Sequence, residues 1–439
     1  MNRPRLFLLF LTLGIVLPRG PFWTGSVLEA QDEEWSNWDI DSLFDAPQET
    51  EIVENDNMEP EDTITLRDRV TIEASYDFVG AFSPGWSEAP WEAPWNDEKN
   101  KYNYILGARI EALLSLDFNL TESLRVWNSF SFSVPDKTIF SIKEFYFDYN
   151  LQRRLYLRAG LFTIAWGISV NFPYTNLPSR VPEKSGGDSY MAKLDIPIGI
   201  GGLQLLAMTR NSFLQDPASP KMEEIAYGIK YNLAFEKADI DAGFFYYIEM
   251  PLRGFISLKT TLGNTEIYAE GLTAIPHPEM HRDQQTGSSS WGETYDSLRF
   301  SGSAGFLQDF FRGKLTVNGE IFFNGEKATG WYRERTEFQD AEALKFIEGF
   351  NGALNLIYRP GIIGMRLFVQ CLYALDENSA QLVPGISIKP GDLITATLTV
   401  PMALGNRDGT YYTQNADRDN RPFSIVLLLS FGSTFKYKM

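Results

Sequence analysis

The sequence contains very little cysteine. Cys371 is the only one in 439 residues, so no intramolecular disulfide can form. Small secreted domains usually depend on disulfides, and that class of fold is therefore excluded. Long apolar runs are also scarce: the run at the N-terminus, Leu6 to Leu17, has 12 residues, whereas a helix needs about 20 to cross a bilayer. The mean hydropathy of -0.21 excludes a bundle of membrane-spanning helices.

Histidine is almost as rare as cysteine. His277 and His281 are the only two, and both lie in the stretch "IPHPEMHRDQQTG". In a helical zinc motif the glutamate directly follows the first histidine, but here Glu279 lies one position later and two prolines oppose a helix. A hydrolase at the rim of a membrane protein stays open as a minor alternative. The sequence otherwise predicts no enzyme, no catalytic residue, no metal or other cofactor, and no nucleic-acid partner.

The first 66 residues differ in composition from the rest. Arg3 and Arg5 precede the short apolar run and Ala30 offers a cleavage point, which predicts a signal peptide over 1–30. A retained N-terminal anchor is the alternative. Residues 31–62 carry 13 acidic side chains and no Lys or Arg. This composition predicts a disordered acidic periplasmic segment over 31–66, and its "WDIDSLFDAP" stretch could instead be a short docking motif.

Between residues 67 and 439, stretches with apolar residues at every second position recur many times, as in "KLTVNGEIFFN". Strict alternation is typical of strands with one apolar and one polar face. Short turns such as "LGNT" alternate with longer connections, which we place at roughly residues 81–101, 164–187, 212–221, 275–293, 324–343 and 401–420. This pattern suits strands of about ten residues in a membrane barrel. We predict an all-β fold, a transmembrane antiparallel β-barrel of about 18 strands, with 16 as the nearest alternative. A secreted β-solenoid or sandwich is less consistent with the aromatic residues.

Tyrosine and tryptophan concentrate near the predicted strand ends, where membrane interfaces select them. The residues assigned to these interfaces are Tyr102, Tyr104, Trp127, Tyr149, Trp166, Tyr246, Tyr247, Tyr358 and Tyr373. An apolar outer face implies that the alternate side chains point into a polar lumen. The candidates for the lumen and its constriction are Arg109, Glu111, Arg125, Tyr156, Arg158, Asn171, Tyr174, Asn176, Arg180, Lys193, Arg210, Lys230, Arg253, Lys259, Arg299, Glu320 and Arg366. Many of these charges could instead pair with each other across neighbouring strands.

The stretch "RAGLFTIAWGISVNFPYTNLP" resembles porin-type bacterial outer-membrane barrels. The matching residues are Arg158, Gly160, Trp166, Gly167, Asn171, Pro173 and Asn176. The resemblance implies a solute channel whose loop after Trp166 folds inward and narrows the lumen. We expect the strand to end near Trp166-Gly167, with Trp166 at the membrane interface. The acidic "WDIDSLFDAP" is also similar to the start of spirochaete outer-membrane proteins.

These observations predict passive diffusion of small hydrophilic solutes or ions through a Gram-negative outer membrane. An even strand number places both termini in the periplasm and the long loops outside the cell. The expected partners are outer-membrane lipid, the solutes and the barrel-assembly machinery, and a homo-oligomer is compatible with the sequence. The alternative function is a surface-exposed adhesin or structural barrel with an occluded lumen.

Overall fold

The computed structural model describes residues 70–89, 91, 100–134, 140–152, 154–181, 190–209, 225–247, 252–275, 278–282, 289–293, 298–325, 349–362, 364–391, 393–407, 409, 411 and 422–438. The predicted signal peptide and acidic segment, residues 1–66, lie outside this part of the chain. Among the described residues, no helix has the length and apolar character needed to cross a bilayer.

The first eleven strands pair in chain order, each antiparallel to the next. They are β1 Val70–Trp86, β2 Tyr102–Thr121, β3 Leu124–Val134, β4 Phe140–Leu151, β5 Leu155–Leu161, β6 Tyr190–Ile198, β7 Gly201–Thr209, β8 Ala226–Ala234, β9 Ala238–Tyr246, β10 Leu252–Leu262 and β11 Thr265–Ile275. Two short strands, β12 Pro278–Arg282 and β13 Ser289–Glu293, then form a separate hairpin.

The remaining strands complete the sheet and close it. They are β14 Arg299–Phe310, β15 Leu315–Asn324, β16 Gly349–Tyr358, β17 Met365–Ala374, β18 Ser379–Ile388, β19 Ile394–Thr399, β20 Met402–Gly405, β21 Phe423–Ser424 and β22 Val426–Lys438. β19 and β20 pair with the same neighbour and act as one wall strand, as do β21 and β22. The ring closes where β22 pairs with β1, with Phe78 opposite Phe431. The predicted barrel of 18 strands is therefore confirmed.

The alternation of side chains sets the two faces of the wall. On β15, Thr316, Asn318 and Glu320 are buried in the interior, whereas Ile321 is 66% exposed on the outside. Leu106 on β2 points outward in the same way and is 73% exposed. Because an exposed apolar outer face would be unfavourable in water, this surface is suited to lipid.

Connections at the two ends of the barrel differ in length. One end has tight turns, among them the two-residue turns that begin at Gly199 and Gly263, whose φ angles of 61° and 65° favour glycine. Val70 and Lys438 lie at this same end, which we call the turn end. Most connections at the other end are longer, as predicted, and include 87–101, 162–189 and 276–298.

Three predicted boundaries are wrong. The loop expected over 401–420 contains β20, Met402–Gly405. β1 continues to Trp86 because it pairs with β2 as far as Tyr102, so the loop expected from residue 81 begins at 87. β5 ends at Leu161, five residues before the predicted boundary at Trp166.

Three of the nine aromatic residues assigned to membrane interfaces point inward instead. Trp127 lies on the same face of β3 as the buried Ser129, and Trp166 and Tyr247 are themselves buried. The other six, Tyr102, Tyr104, Tyr149, Tyr246, Tyr358 and Tyr373, are exposed on the outer face. For Trp127 the cause is its inward position in the side-chain alternation of β3, which proximity to a strand end does not determine. Trp166 and Tyr247 lie beyond the ends of β5 and β9, where the alternation of those strands no longer applies.

Candidate functional site

The chain enters the barrel interior directly after β5. At Gly160 the φ angle is +140° and a Cβ would lie 2.2 Å from the main-chain oxygen of Phe145, so only glycine fits there. Residues 162–181, which we call the inserted segment, follow and end with a short 3-10 helix, Leu177–Arg180. Six of its large apolar side chains are buried: Phe162, Trp166, Phe172, Tyr174, Leu177 and Val181.

Trp166 anchors the inserted segment on β7 to β10. Its ring centroid lies 5.8 Å from that of Phe245 and 5.5 Å from that of Phe255. Its Nε1–H donates to Oε1 of Gln204 at 2.7 Å. The predicted interface position of Trp166 is therefore wrong: the residue is 1% exposed and lies inside the barrel. Because β5 ends early, Trp166 has already left the wall when the chain reaches it.

Gly228 on β8 provides the space for this indole. A Cβ at Gly228 would lie 2.4 Å from Cη2 of Trp166 and 3.2 Å from Cδ2 of Phe245. A side chain at this position would therefore displace the ring.

Glu270 on β11 receives the next part of the segment. The main-chain N–H groups of Ile168 and Ser169 both donate to its Oε1, the latter at 3.3 Å. The Thr175 hydroxyl donates to Oε2 at 2.7 Å. Next to this contact, the hydroxyls of Ser169 and Ser303 on β14 lie 2.5 Å apart. The carboxylate thus holds two separate stretches of the inserted segment.

Asn171 reaches the wall furthest from β5. Its main-chain N–H and Nδ2–H donate to Oε2 of Glu320 at 2.9 and 3.1 Å. Nδ2 also donates to Oδ1 of Asn318 at 2.7 Å, and Nδ2 of Asn355 on β16 donates to Oδ1 of Asn171 at 2.5 Å. The Tyr268 hydroxyl donates to the same Glu320 oxygen at 3.0 Å.

Aromatic stacking covers these polar contacts. Phe172 and Tyr174 both pack on Phe322 of β15, with ring centroids 5.1 and 4.7 Å away. The Tyr174 hydroxyl lies 3.0 Å from the main-chain oxygen of Glu270 and 3.2 Å from that of Ser301. In the ring of 18 strands β15 lies eight positions from β5, so the inserted segment links nearly opposite walls.

The opposite part of the wall has a different surface. Strands β2, β3, β18 and β19 present small hydroxyl side chains to the interior, where Ser115 Oγ donates to Ser129 Oγ at 3.4 Å and Thr397 Oγ1 donates to Ser387 Oγ at 3.2 Å. The buried hydroxyl residues of these strands are Ser115, Ser129, Ser131, Ser133, Ser379, Ser387 and Thr399. The interior thus has an apolar part filled by the inserted segment and a hydroxyl-rich part.

Many of the predicted lumen charges form ion pairs. Arg109 contacts Glu111 at 3.0 Å, Arg125 contacts Asp117 at 2.8 Å and Lys193 contacts Asp195 at 2.8 Å. Lys230 and Lys259 pair in the same way with Asp241 and Glu266, at 3.3 and 3.0 Å. Arg125, Lys230 and Lys259 show the pairing across neighbouring strands that was considered as an alternative from the sequence, whereas Arg109 and Lys193 pair with a carboxylate on their own strand. Both signs of charge therefore remain on the inner wall.

Arg158 contacts both a carboxylate and an aromatic ring. Its guanidinium donates to both carboxylate oxygens of Asp148, at 2.7 and 3.0 Å. It also lies 4.3 Å from the centroid of the Tyr146 ring, a cation–π distance. The bidentate contact fixes the Arg158 guanidinium against the inner wall, between β4 and β5.

The other candidates occupy varied places. Tyr156 is half-buried on β5, Arg253 is fully buried on β10, and Arg299 and Arg366 are half-buried on β14 and β17. Asn176 accepts the Trp166 main-chain N–H at 2.9 Å. The structure thus joins Asn171, Tyr174, Asn176 and Glu320 in one contact network. The Arg180 side chain and all of Arg210 lie outside the described part.

Sequence reasoning missed several residues of this network. Glu270, Gln204, Asn318 and Ser303 all lie at inward positions of their strands, so alternation alone could have placed them in the lumen. Their contact with the segment could not be predicted, because each is distant from it in sequence. No sequence pattern indicated that Gly228 provides space for the Trp166 ring.

Tyr411, in the connection after β20, also packs against the inner wall. Tyr411 is buried against Ala374 and Leu372, and its main-chain N–H donates to Oγ of Ser379 at 3.4 Å. Burial raises the pKa of the Tyr411 phenol, so the side chain stays neutral. Within the described ranges, no group of three His, Cys, Asp or Glu side chains could hold a metal ion.

Solved structures similar to this chain include bacterial porins. Pseudomonas aeruginosa OccK9 (OpdG) is 10% identical with a TM-score of 0.47, and covers 83% of this chain and 98% of its own. Pseudomonas aeruginosa OccK5 (OpdH) is 9% identical with a TM-score of 0.46, over 83% and 98% of the two chains. A triple mutant of the Rhodopseudomonas blastica porin is 10% identical with a TM-score of 0.41, over 82% and 100%.

No protein-family model matches the sequence, and no curated protein matches it. The predicted resemblance to a porin-type barrel is confirmed for the fold, which is a closed ring of 18 antiparallel strands.

Proposed function

We propose that this protein is an outer-membrane channel for passive diffusion of small hydrophilic solutes, narrowed by the inserted segment. The observation that carries the proposal is the contact of Asn171 with Glu320, which lies on the nearly opposite wall from β5. A segment that leaves the wall after β5 and is held at the nearly opposite wall reduces the open cross-section of the barrel. Glu270 and Trp166 fix it at two further points.

The route left for solute runs along the hydroxyl-rich strands. Hydroxyls and paired charges can form hydrogen bonds with a polar solute in place of those that it makes to water. An apolar wall would require the solute to lose its water without replacement. Arg109 and Glu111 lie on this side, with Ser133 accepting from Arg109 at 3.2 Å. This lining favours small polar solutes of either charge sign over apolar ones.

The orientation follows from the two ends of the barrel. We place the turn end, with both Val70 and Lys438, in the periplasm and the long connections at the cell surface. The exposed apolar outer face is in contact with lipid, and assembly uses the barrel-assembly machinery. Phe435 and Tyr437, exposed near the end of β22, are the candidates for recognition by that machinery.

The experiment is single-channel conductance of refolded residues 31–439 in a planar bilayer. Wild-type protein should give stable conductance steps that increase with salt concentration. Deletion of residues 168–186 removes the contacts with Glu270 and Glu320 and should enlarge each step. As a control, deletion of the β12–β13 hairpin, residues 278–293, removes a stretch of similar length from the same end and should leave the steps nearly unchanged.

Heat-modifiable migration on gels would verify that each variant forms a barrel. A folded wild-type barrel that gives no conductance would contradict the channel. That result would instead favour the occluded adhesin or structural barrel, a role that the apolar filling around Trp166 and Phe322 could also serve.

A further inference from the structure

A cleft of about 440 Å³ lies at the turn end of the barrel, away from the inserted segment. Three connections form it: β14 to β15, β16 to β17, and the chain after β18. Main-chain hydrogen bonds tie them together, since Arg359 N donates to Lys314 O and Lys389 N donates to Gly364 O, both at 2.7 Å. At Gly364 a Cβ would lie 1.8 Å from Lys389 O, so the close approach requires glycine.

The lining of this cleft has one sign of charge. It includes Arg312, Lys314, Arg359, Arg366 and Lys389, and none of its described lining residues is acidic. A concave site lined by cations raises the local concentration of anions.

Arg359 is held in place within the cleft. Its NH1 donates to Oγ1 of Thr316 at 2.9 Å and to the main-chain oxygen of Gly313 at 3.3 Å. Thr316 faces the barrel interior, and Arg366 shares the inward face of β17 with Phe368. The cleft therefore lies on the inner rim of the turn end, where the interior opens.

We propose that this cleft binds a small oxyanion of the phosphate class. Guanidinium groups match the geometry of phosphate oxygens, and ammonium groups add charge without fixed direction. The same chemistry occurs in a soluble phosphate ester that crosses the barrel and in the headgroup of an anionic lipid at the rim. Binding of a soluble phosphate ester that crosses the barrel rests on the proposed channel function. Binding of an anion to the cleft can nevertheless be measured without any conduction.

The test is calorimetric titration of inorganic phosphate into refolded residues 31–439 in detergent. The cleft variant is Lys314→Gln with Lys389→Gln, two exposed lysines whose removal leaves the turn main chain intact. The matched control is Lys237→Gln with Lys438→Gln, two exposed lysines at the same end but outside the cleft. Heat-modifiability checks that all three proteins are folded.

Wild type and control should bind phosphate saturably with similar affinity, and the cleft variant should bind about tenfold more weakly, because two cations are lost. Absence of saturable binding by the folded wild type, or equal affinity in the cleft variant, would overturn the proposal. A second titration, in nanodiscs of phosphatidylcholine with or without phosphatidylglycerol, separates the two sources. Weaker phosphate binding with phosphatidylglycerol assigns the cleft to lipid headgroups, and unchanged binding assigns it to soluble anions.

Discussion

Asn171 donates twice to one carboxylate oxygen of Glu320, from its main-chain N–H at 2.9 Å and from Nδ2 at 3.1 Å. The two residues are 149 positions apart in the sequence. Asn171 belongs to the inserted segment, which leaves the wall after β5, whereas Glu320 lies on β15 in the nearly opposite wall. A hydrogen bond to a charged group contributes about 1.5–3 kcal/mol. This pair is therefore a main determinant of where the inserted segment lies.

Replacing Glu320 with alanine should release the tip of the inserted segment. Asn171 and Tyr268 would lose a shared acceptor, and water would replace it. We expect larger and noisier conductance steps in planar bilayers. Asp309→Ala is the control, since Asp309 accepts from Thr316 at 2.6 Å rather than from the segment. Equal conductance in both variants would show that the segment is held elsewhere.

A disulfide should lock the segment to the wall. The Oγ atoms of Ser169 and Ser303 are 2.5 Å apart, close to the length of an S–S bond, about 2.05 Å. Ser169→Cys with Ser303→Cys, in a Cys371→Ala background, should cross-link under mild oxidation. Mass spectrometry of the peptides reports the bond. Ser169→Cys with Ser131→Cys is the negative control, because Ser131 lies on β3 and bonds Glu111. Comparable yields in the two pairs would count against the docked position.

A single methyl group at Gly228 should disturb Trp166. The added Cβ in Gly228→Ala would lie 2.4 Å from the indole, and overpacking of this kind costs about 1–3 kcal/mol. We expect an altered near-ultraviolet circular dichroism signal and a lower unfolding temperature, with strand content retained. Gly80→Ala is the control, since its nearest heavy atoms are 3.9 Å away. Identical near-ultraviolet spectra for the two variants would argue against a buried Trp166.

Removing Arg158 should change ion selectivity. Arg158→Ala leaves Asp148 without its bidentate partner, so the inner wall becomes more negative. We expect the reversal potential in a salt gradient to shift toward cation preference, and the shift to diminish as ionic strength rises. The double variant Arg158→Ala with Asp148→Ala removes both charges and should return close to wild type. A lack of any shift in the single variant would place the pair away from the ion path.

The class of fold, and the alternation of short turns and long loops between strands, could be predicted from the sequence. Alternation in stretches such as "KLTVNGEIFFN" specified strands, and the regular spacing of turns and loops gave their number. Lipid on one side and water on the other impose a period of two on every strand, so each strand carries this signal locally. The same parity placed charges such as Arg109, Arg125 and Arg158 on the inner face.

What the interior contains depends on contacts that form only in the folded barrel. The tertiary structure ended β5 at Leu161, turned Trp166 inward, and placed the inserted segment against Glu270 and Glu320. It also gathered the cations of three separate turns into one cleft. These contacts join residues far apart in sequence. They depend on closure of the ring and on space left by glycines such as Gly228, and neither property is encoded in any local stretch.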